Sequence, residues 1–155
     1  EKSNIYNDSG LDKCEFYAIT NKGEKFKPLK EIASGGEISR IMLAINLVIQ
    51  RSSNNTLIFD EVDSGISGAT ASNIGDLLNK LSSFKQLIIV THLPQIASKS
   101  DFHLFAYKIK DEERVKSSIK ILDNNHHELE IARMLSGKNV TDCSIKQAKE
   151  IISNG

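Results

Sequence analysis

Three acidic residues close a short apolar run: Thr56-Leu57-Ile58-Phe59 leads into Asp60, Glu61 and, after Val62, Asp63. An apolar run of this length reads as a strand buried on both faces. The first polar residues beyond such a strand lie at its carboxyl end, where open α/β sheets hold their ligands. Adjacent carboxylates there can hold Mg²⁺ and position a water for attack on a phosphate. In this reading Asp60 serves Mg²⁺, and Glu61 orients or deprotonates the water.

Ser34-Gly35-Gly36-Glu37 is a second candidate. Paired glycines let a backbone approach a ligand closely. The helix that follows offers free N–H groups and a positive dipole end, which suits a phosphate. The same residues also suit an ordinary helix cap. His92 is a third, directly after the apolar run Gln86-Leu87-Ile88-Ile89-Val90-Thr91. If the two runs are neighbouring parallel strands, His92 comes close to Asp60 and can bond a γ-phosphate or a water. His103, His126 and His127 read as structural, and the His126-His127 pair lacks further metal ligands.

These groups need elements to hold them. Cys14 to Thr20 reads as a strand and Asn21-Lys22-Gly23 as a turn. Ile38, Ile41, Met42, Ile45, Val48 and Ile49 recur at helical spacing, and Leu43, Ala44 and Leu47 widen the stripe. That helix is expected to be buried on most sides. Arg51 to Asn55 is a loop, and Ala69 to Leu81 is helical. Two apolar strands joined by a helix make a βαβ unit with a parallel sheet. Pro94 opens a short helix. Phe102 to Ile109 and Arg114 to Leu122 read as strands about a charged turn, the second alternating as a half-exposed antiparallel strand. His127 to Leu135 is a helix ended by Gly137, and Thr141-Asp142 caps a last helix reaching about Ser153.

The 155 residues fit one domain with a core, and 39% are hydrophobic. Twenty basic residues balance twenty acidic ones, so no whole-chain charge signals nucleic acid or an anionic membrane. No apolar run has membrane-spanning length. Cys14 and Cys143, far apart and without metal-ligand spacing, read as reduced, buried thiols in the cytosol. The first residue is not Met and residues 1–13 are polar, so they read as a lead-in from an upstream coiled coil or linker, with 14–155 as the domain.

In this order the motifs resemble ATPase heads of the ABC class, in the SMC-like branch. Ser34 to Glu37 looks like the signature motif, Leu57 to Glu61 like Walker B, Asp63 to Ser67 like the D-loop, and His92 like the switch histidine. Three longer runs, Ile32 to Arg40, Phe59 to Gly68 and Thr91 to Ala97, resemble the RecN family of bacterial DNA-repair proteins, as does Ala132-Arg133-Met134-Leu135. One departure is Ser67, where many ABC and SMC proteins carry Asp.

The resemblance implies the C-terminal lobe of a head with a mainly parallel sheet, flanking helices and an antiparallel pair near the end. It implies ATP and Mg²⁺ as cofactors, with Glu61 and His92 catalytic and Asp60 near the metal. Ser34, Gly35, Gly36, Glu37, Asp63, Ser64 and Gly65 would contact nucleotide. No Gly-x-x-x-x-Gly-Lys-Ser/Thr occurs in the chain, so this lobe is expected to be inactive alone. Its implied partners are an N-terminal lobe carrying the P-loop, a second head closing on ATP, and DNA, in the cytoplasm on the nucleoid during double-strand break repair. The alternatives are a Mg²⁺-dependent nuclease or phosphatase using Asp60, Glu61 and Asp63, the nucleotide-binding half of an ABC transporter, and a non-catalytic interaction module that keeps only the fold. Against the transporter, Val62 follows Glu61 where transporters usually have Pro.

Overall fold

The computed structural model describes residues 2–7, 10–12, 14–20, 23–32, 34–49, 55–110 and 114–154. The expected turn residues Asn21 and Lys22, loop 51–54 and turn 111–113 lie outside them. Strands β1 (Lys2–Asn7) and β2 (Gly10–Asp12) pair antiparallel, within the stretch read as a lead-in. The strand expected over Cys14 to Thr20 contracts to β3 (Tyr17–Ala18), paired antiparallel with β4 (Lys27–Pro28). Pro28 has no N–H to carry that ladder further.

Helix α1 (Gly35–Ile49) begins three residues before the apolar stripe, so both glycines lie in its first turn. Strand β5 (Thr56–Phe59), helix α2 (Gly68–Ser82) and strand β6 (Gln86–Ile89) form the expected crossover. The two strands are parallel, in register from Thr56↔Gln86 to Phe59↔Ile89. Helix α3 (Pro94–Ala97) has Pro in its first turn. Strands β7 (Leu104–Lys110) and β8 (Val115–Ile121) pair antiparallel from Leu104↔Ile121 to Lys110↔Val115. Helix α4 (Asn124–Ser136) is capped by Asp123, which accepts from His126 N at 2.8 Å. Helix α5 (Asp142–Ser153) opens with a reciprocal cap between Thr141 and Ser144.

The main core gathers Leu43, Phe59, Val62, Leu78, Leu81 and Ile96, with Leu47, Leu57, Ile74, Leu87 and Ile89 packed against them. Each fully buried Leu contributes about 1.5–3 kcal/mol of transfer free energy. Val62 belongs to this core although it lies between Glu61 and Asp63, so the acid loop is anchored from below. A second cluster joins Ala97, Ile131, Ala132 and Ala148 under α3, α4 and α5.

The fold is mixed α/β: its parallel part is two strands wide, and the other three pairings among the described residues are antiparallel. Two expectations need correction. Neither the α1 stripe nor the β5–β6 pair is buried all round: Met42, Val48, Ile58 and Ile88 are exposed, Val48 by 85% and Ile58 by 69%. Only one face of each meets the chain's own core, which the apolar pattern could not reveal because it records hydrophobicity and not what covers it. Both cysteines are free and exposed, Cys14 ahead of β3 and Cys143 in the first turn of α5.

Candidate functional site

Phe59 O accepts from Val90 N at 2.9 Å, so β5 and β6 end level and their following loops lie side by side. The chain after Phe59 turns at once. Ser64 N donates to Glu61 O at 2.9 Å, and Gly65 takes φ +72°, a left-handed value that glycine accepts without strain. Glu61 is left-handed too, at φ +59°, and is the one such non-glycine among the described residues. A side chain there costs about 1–2 kcal/mol relative to glycine, so the strain marks the position for functional scrutiny.

The acid loop lies against the start of α1. A Cβ on Gly36 would fall 2.9 Å from Glu61 O, 2.9 Å from Ser64 Cβ and 3.0 Å from Arg40 Nη1. Only glycine fits at that spacing. A Cβ on Gly35 would fall 2.6 Å from Glu61 Oε2, so the carboxylate of Glu61 rests over the first turn of α1. Ser34 O accepts from Ile38 N, which makes Ser34 the residue entering the helix. Glu37 is half-buried in the first turn.

Asp63 is buried, and a single oxygen does its work. Its Oδ2 accepts from Thr91 Oγ1 at 2.6 Å and from His92 N at 3.0 Å, and lies 3.0 Å from His92 Nδ1. Burial alone would raise the Asp63 carboxyl. The bonds from Thr91 and His92, with the attraction of the His92 ring, outweigh it and hold the carboxyl below its ordinary 3.8. Asp63 therefore stays ionised, and its Oδ2 is placed to accept a hydrogen bond from His92 Nδ1 when that nitrogen carries the hydrogen. The His92 side chain is 75% exposed, and Nε2 is the nitrogen left to meet a ligand.

The structure thus brings Gly35, Gly36, Glu61 and Ser64 together, and separately joins Asp63 to His92. Asp60 is exposed at the tip of β5. Among the described residues no three His, Cys, Asp or Glu converge as a metal cage. Mg²⁺ is commonly held by one or two carboxylates with phosphate oxygens and water, and Asp60 fits that role. The chain has no Gly-x-x-x-x-Gly-Lys-Ser/Thr loop of the kind that cradles nucleotide phosphates.

Spacing pointed to no role for Ser39, Arg40 or Thr91. Ser39 Oγ donates to Asp60 O at 2.8 Å, and Arg40 Nη1 donates to Val62 O at 3.2 Å and Ser64 O at 2.8 Å. One signal was available for Arg40: it follows Gly36 by four residues, on the same helix face. Of the histidines set aside, His103 and His127 meet at 2.8 Å between Nδ1 atoms, and His126 bonds Asp123.

No protein-family model matches the chain. The DNA repair protein RecN of Rickettsia prowazekii is 45% identical over 145 residues, 93% of this chain and 26% of the relative. RecN of Halalkalibacterium halodurans is 40% identical over 148 residues, and RecN of Bacillus subtilis 40% over 146. The chain thus spans about a quarter of the length of these curated relatives. A solved structure from work on ATP-driven dimerization and DNA-stimulated activation of SMC ATPases superimposes with TM-score 0.51. It covers 76% of this chain and 70% of that one at 22% identity, a likeness of fold. By sequence, the chain matches the C-terminal region of the RecN proteins over 93% of its own length.

Proposed function

We propose that the chain supplies the water-activating half of an ATP-hydrolysing head in a RecN-like DNA-repair protein. The observation that carries this reading is Glu61, held left-handed at the tip of β5 with its carboxylate over Gly35. Glu61 orients a water and takes its proton. His92, oriented through Nδ1 by Asp63, offers Nε2 to that water or to a γ-phosphate oxygen. Asp60 is the residue that would hold Mg²⁺, and the ion would supply neutralisation of charge on the phosphates. Ser34, Gly35, Gly36 and Glu37 with Ser64 and Gly65 form the face that meets ATP held by a second head.

The P-loop comes from an N-terminal lobe outside residues 14–155. A cavity of about 420 Å³ supports a place for that lobe. It is lined by Leu87 and Ile89 of β6, Phe102 to Leu104 at the start of β7, and Leu78 and Ile96 beneath. Among the described residues β6 pairs only with β5, and β7 only with β8, so a strand entering between them would find two open edges. The two lobes complete a larger, mainly parallel sheet and cover Ile58 and Ile88.

The output is head pairing on ATP and release after hydrolysis, coupled to DNA during break repair. The protein works in the cytoplasm on the nucleoid; no described helix is long and apolar enough to cross a membrane. No observation favours the nuclease or the transporter half. In the full-length protein, Glu61→Gln should abolish ATP turnover while ATP-dependent pairing survives. Normal turnover in that variant refutes the assignment. The 155-residue chain by itself should hydrolyse no ATP, and an added N-terminal lobe should restore hydrolysis.

A further inference from the structure

We propose that Arg40, assisted by Ser39, is a positioning residue that makes the start of α1 and the acid loop one rigid body. The inference rests on the ATPase reading above and names a residue that reading does not use. Ser39 Oγ takes the carbonyl of Asp60, and Arg40 Nη1 takes the carbonyls of Val62 and Ser64. Every second carbonyl of the loop is thus held from α1. Below, Val62 and Leu43 share the core. Across the loop, Asp63 is tied to the end of β6.

The two carbonyls on Arg40 flank Asp63, and the carbonyls on Ser39 and Arg40 bracket Glu61. A shift of α1 therefore changes the backbone on both sides of Glu61. Gly35 and Gly36 lie in the first turn of α1, and Ser39 and Arg40 follow directly in its second. A phosphate gripped at the glycines acts, through these three bonds, on the residue that activates water in the same chain. Arg40 touches neither water nor phosphate in this scheme. A guanidinium suits the task because it is planar, permanently charged and rich in donors.

The test is steady-state ATP hydrolysis by full-length Arg40→Ala and Arg40→Lys proteins. For Arg40→Ala, kcat should fall on the order of 10²-fold, as for other small misplacements of a reacting group. KM for ATP should change little, because the other phosphates are held elsewhere. Arg40→Lys should recover part of kcat. A wild-type kcat in folded Arg40→Ala overturns the proposal, as does a fall shared equally by Arg40→Ala and Arg40→Lys. If Arg40→Ala does not fold, Ser39→Ala carries the test: a reduced kcat supports the coupling, and an unchanged one overturns it. Hydrogen exchange of the Ser64 and Ile66 amides gives a readout independent of ATP. Their bonds to Glu61 O and Asp63 O close the loop, so both should exchange faster in Arg40→Ala; unchanged exchange overturns the coupling. An inactive wild-type protein with faster exchange in the variant would sink the ATPase reading and leave the mechanical link standing.

Discussion

Asp63 Oδ2 stands 3.0 Å from both the backbone nitrogen and the ring Nδ1 of His92. The two residues are 29 apart in sequence. One buried oxygen thus fixes where the histidine is and which ring nitrogen it presents. The sequence placed Asp63 among nucleotide contacts and His92 with the water. In the fold the two form a unit that joins the loop after β5 to the end of β6.

Replacing that carboxylate separates charge from shape. Asp63→Asn can keep an oxygen in the Oδ2 position and should cost about 1 kcal/mol, the difference between charge-assisted and neutral bonds. Asp63→Ala leaves the His92 amide and Thr91 hydroxyl without their acceptor and should cost about 3 kcal/mol. The folded carboxyl titrates below its ordinary 3.8, so its contribution is full above that value and is lost as pH falls through the lower folded one. Urea denaturation across acid pH should show wild type and Asp63→Asn converging at the acid end.

The two glycines should respond differently to alanine. Gly36→Ala places a methyl against the backbone oxygen of Glu61 and should cost about 1–3 kcal/mol. Gly35→Ala meets only the end of the Glu61 side chain, which can swing away, so stability should change by less than about 1 kcal/mol. Denaturation midpoints check the order. Equal losses would mean that the loop yields at both positions.

Glu61→Gly should remove the left-handed strain at φ +59°. The gain is offset by the freer unfolded chain, leaving about 0.5–1 kcal/mol of added stability. ATP turnover of the full-length variant should be lost. A destabilised Glu61→Gly protein would show that the side chain itself holds the loop.

His103 and His127 add a pH dependence of their own. Burial holds both below the ordinary 6.5, and the neighbouring His127 charge lowers His103 further. At their contact one ring must donate and the other accept, so a doubly protonated pair cannot keep it. Native His groups with lowered pKa bind fewer protons than unfolded ones, so stability is full above 6.5 and declines as pH falls below it. Thermal melts from about pH 8 to 5 should show this slope, and it should flatten when both residues are replaced by Gln.

Much of the site was legible because it is local. The parallel β5–β6 pair followed from two apolar runs joined by a helical stripe, and the acids and His92 lie where those runs end. The apolar stripe puts Gly35 and Gly36 ahead of the helix, whereas they form its first turn, since sequence rules for helix starts are good only to a residue or two. Ile58, Met42 and Ile88 are exposed against the apolar pattern, because apolar character does not say whether the covering surface belongs to the same chain. The thiols of Cys14 and Cys143 depart from the pattern in the same way.

By itself the sequence determined which groups could do chemistry and at which strand ends they stand, because strand and helix periods are properties of neighbouring residues. Only the tertiary structure decided how those groups are used. Asp63 meets His92 and Thr91 across 29 and 28 positions, and Arg40 meets Val62 and Ser64 across 22 and 24. Such bonds depend on how α1, β5 and β6 pack on Leu43, Phe59 and Val62, and on the room that Gly36 leaves beside Glu61. A hydrogen bond is set by distances of a few tenths of an ångström, and residue spacing along the chain carries no such information.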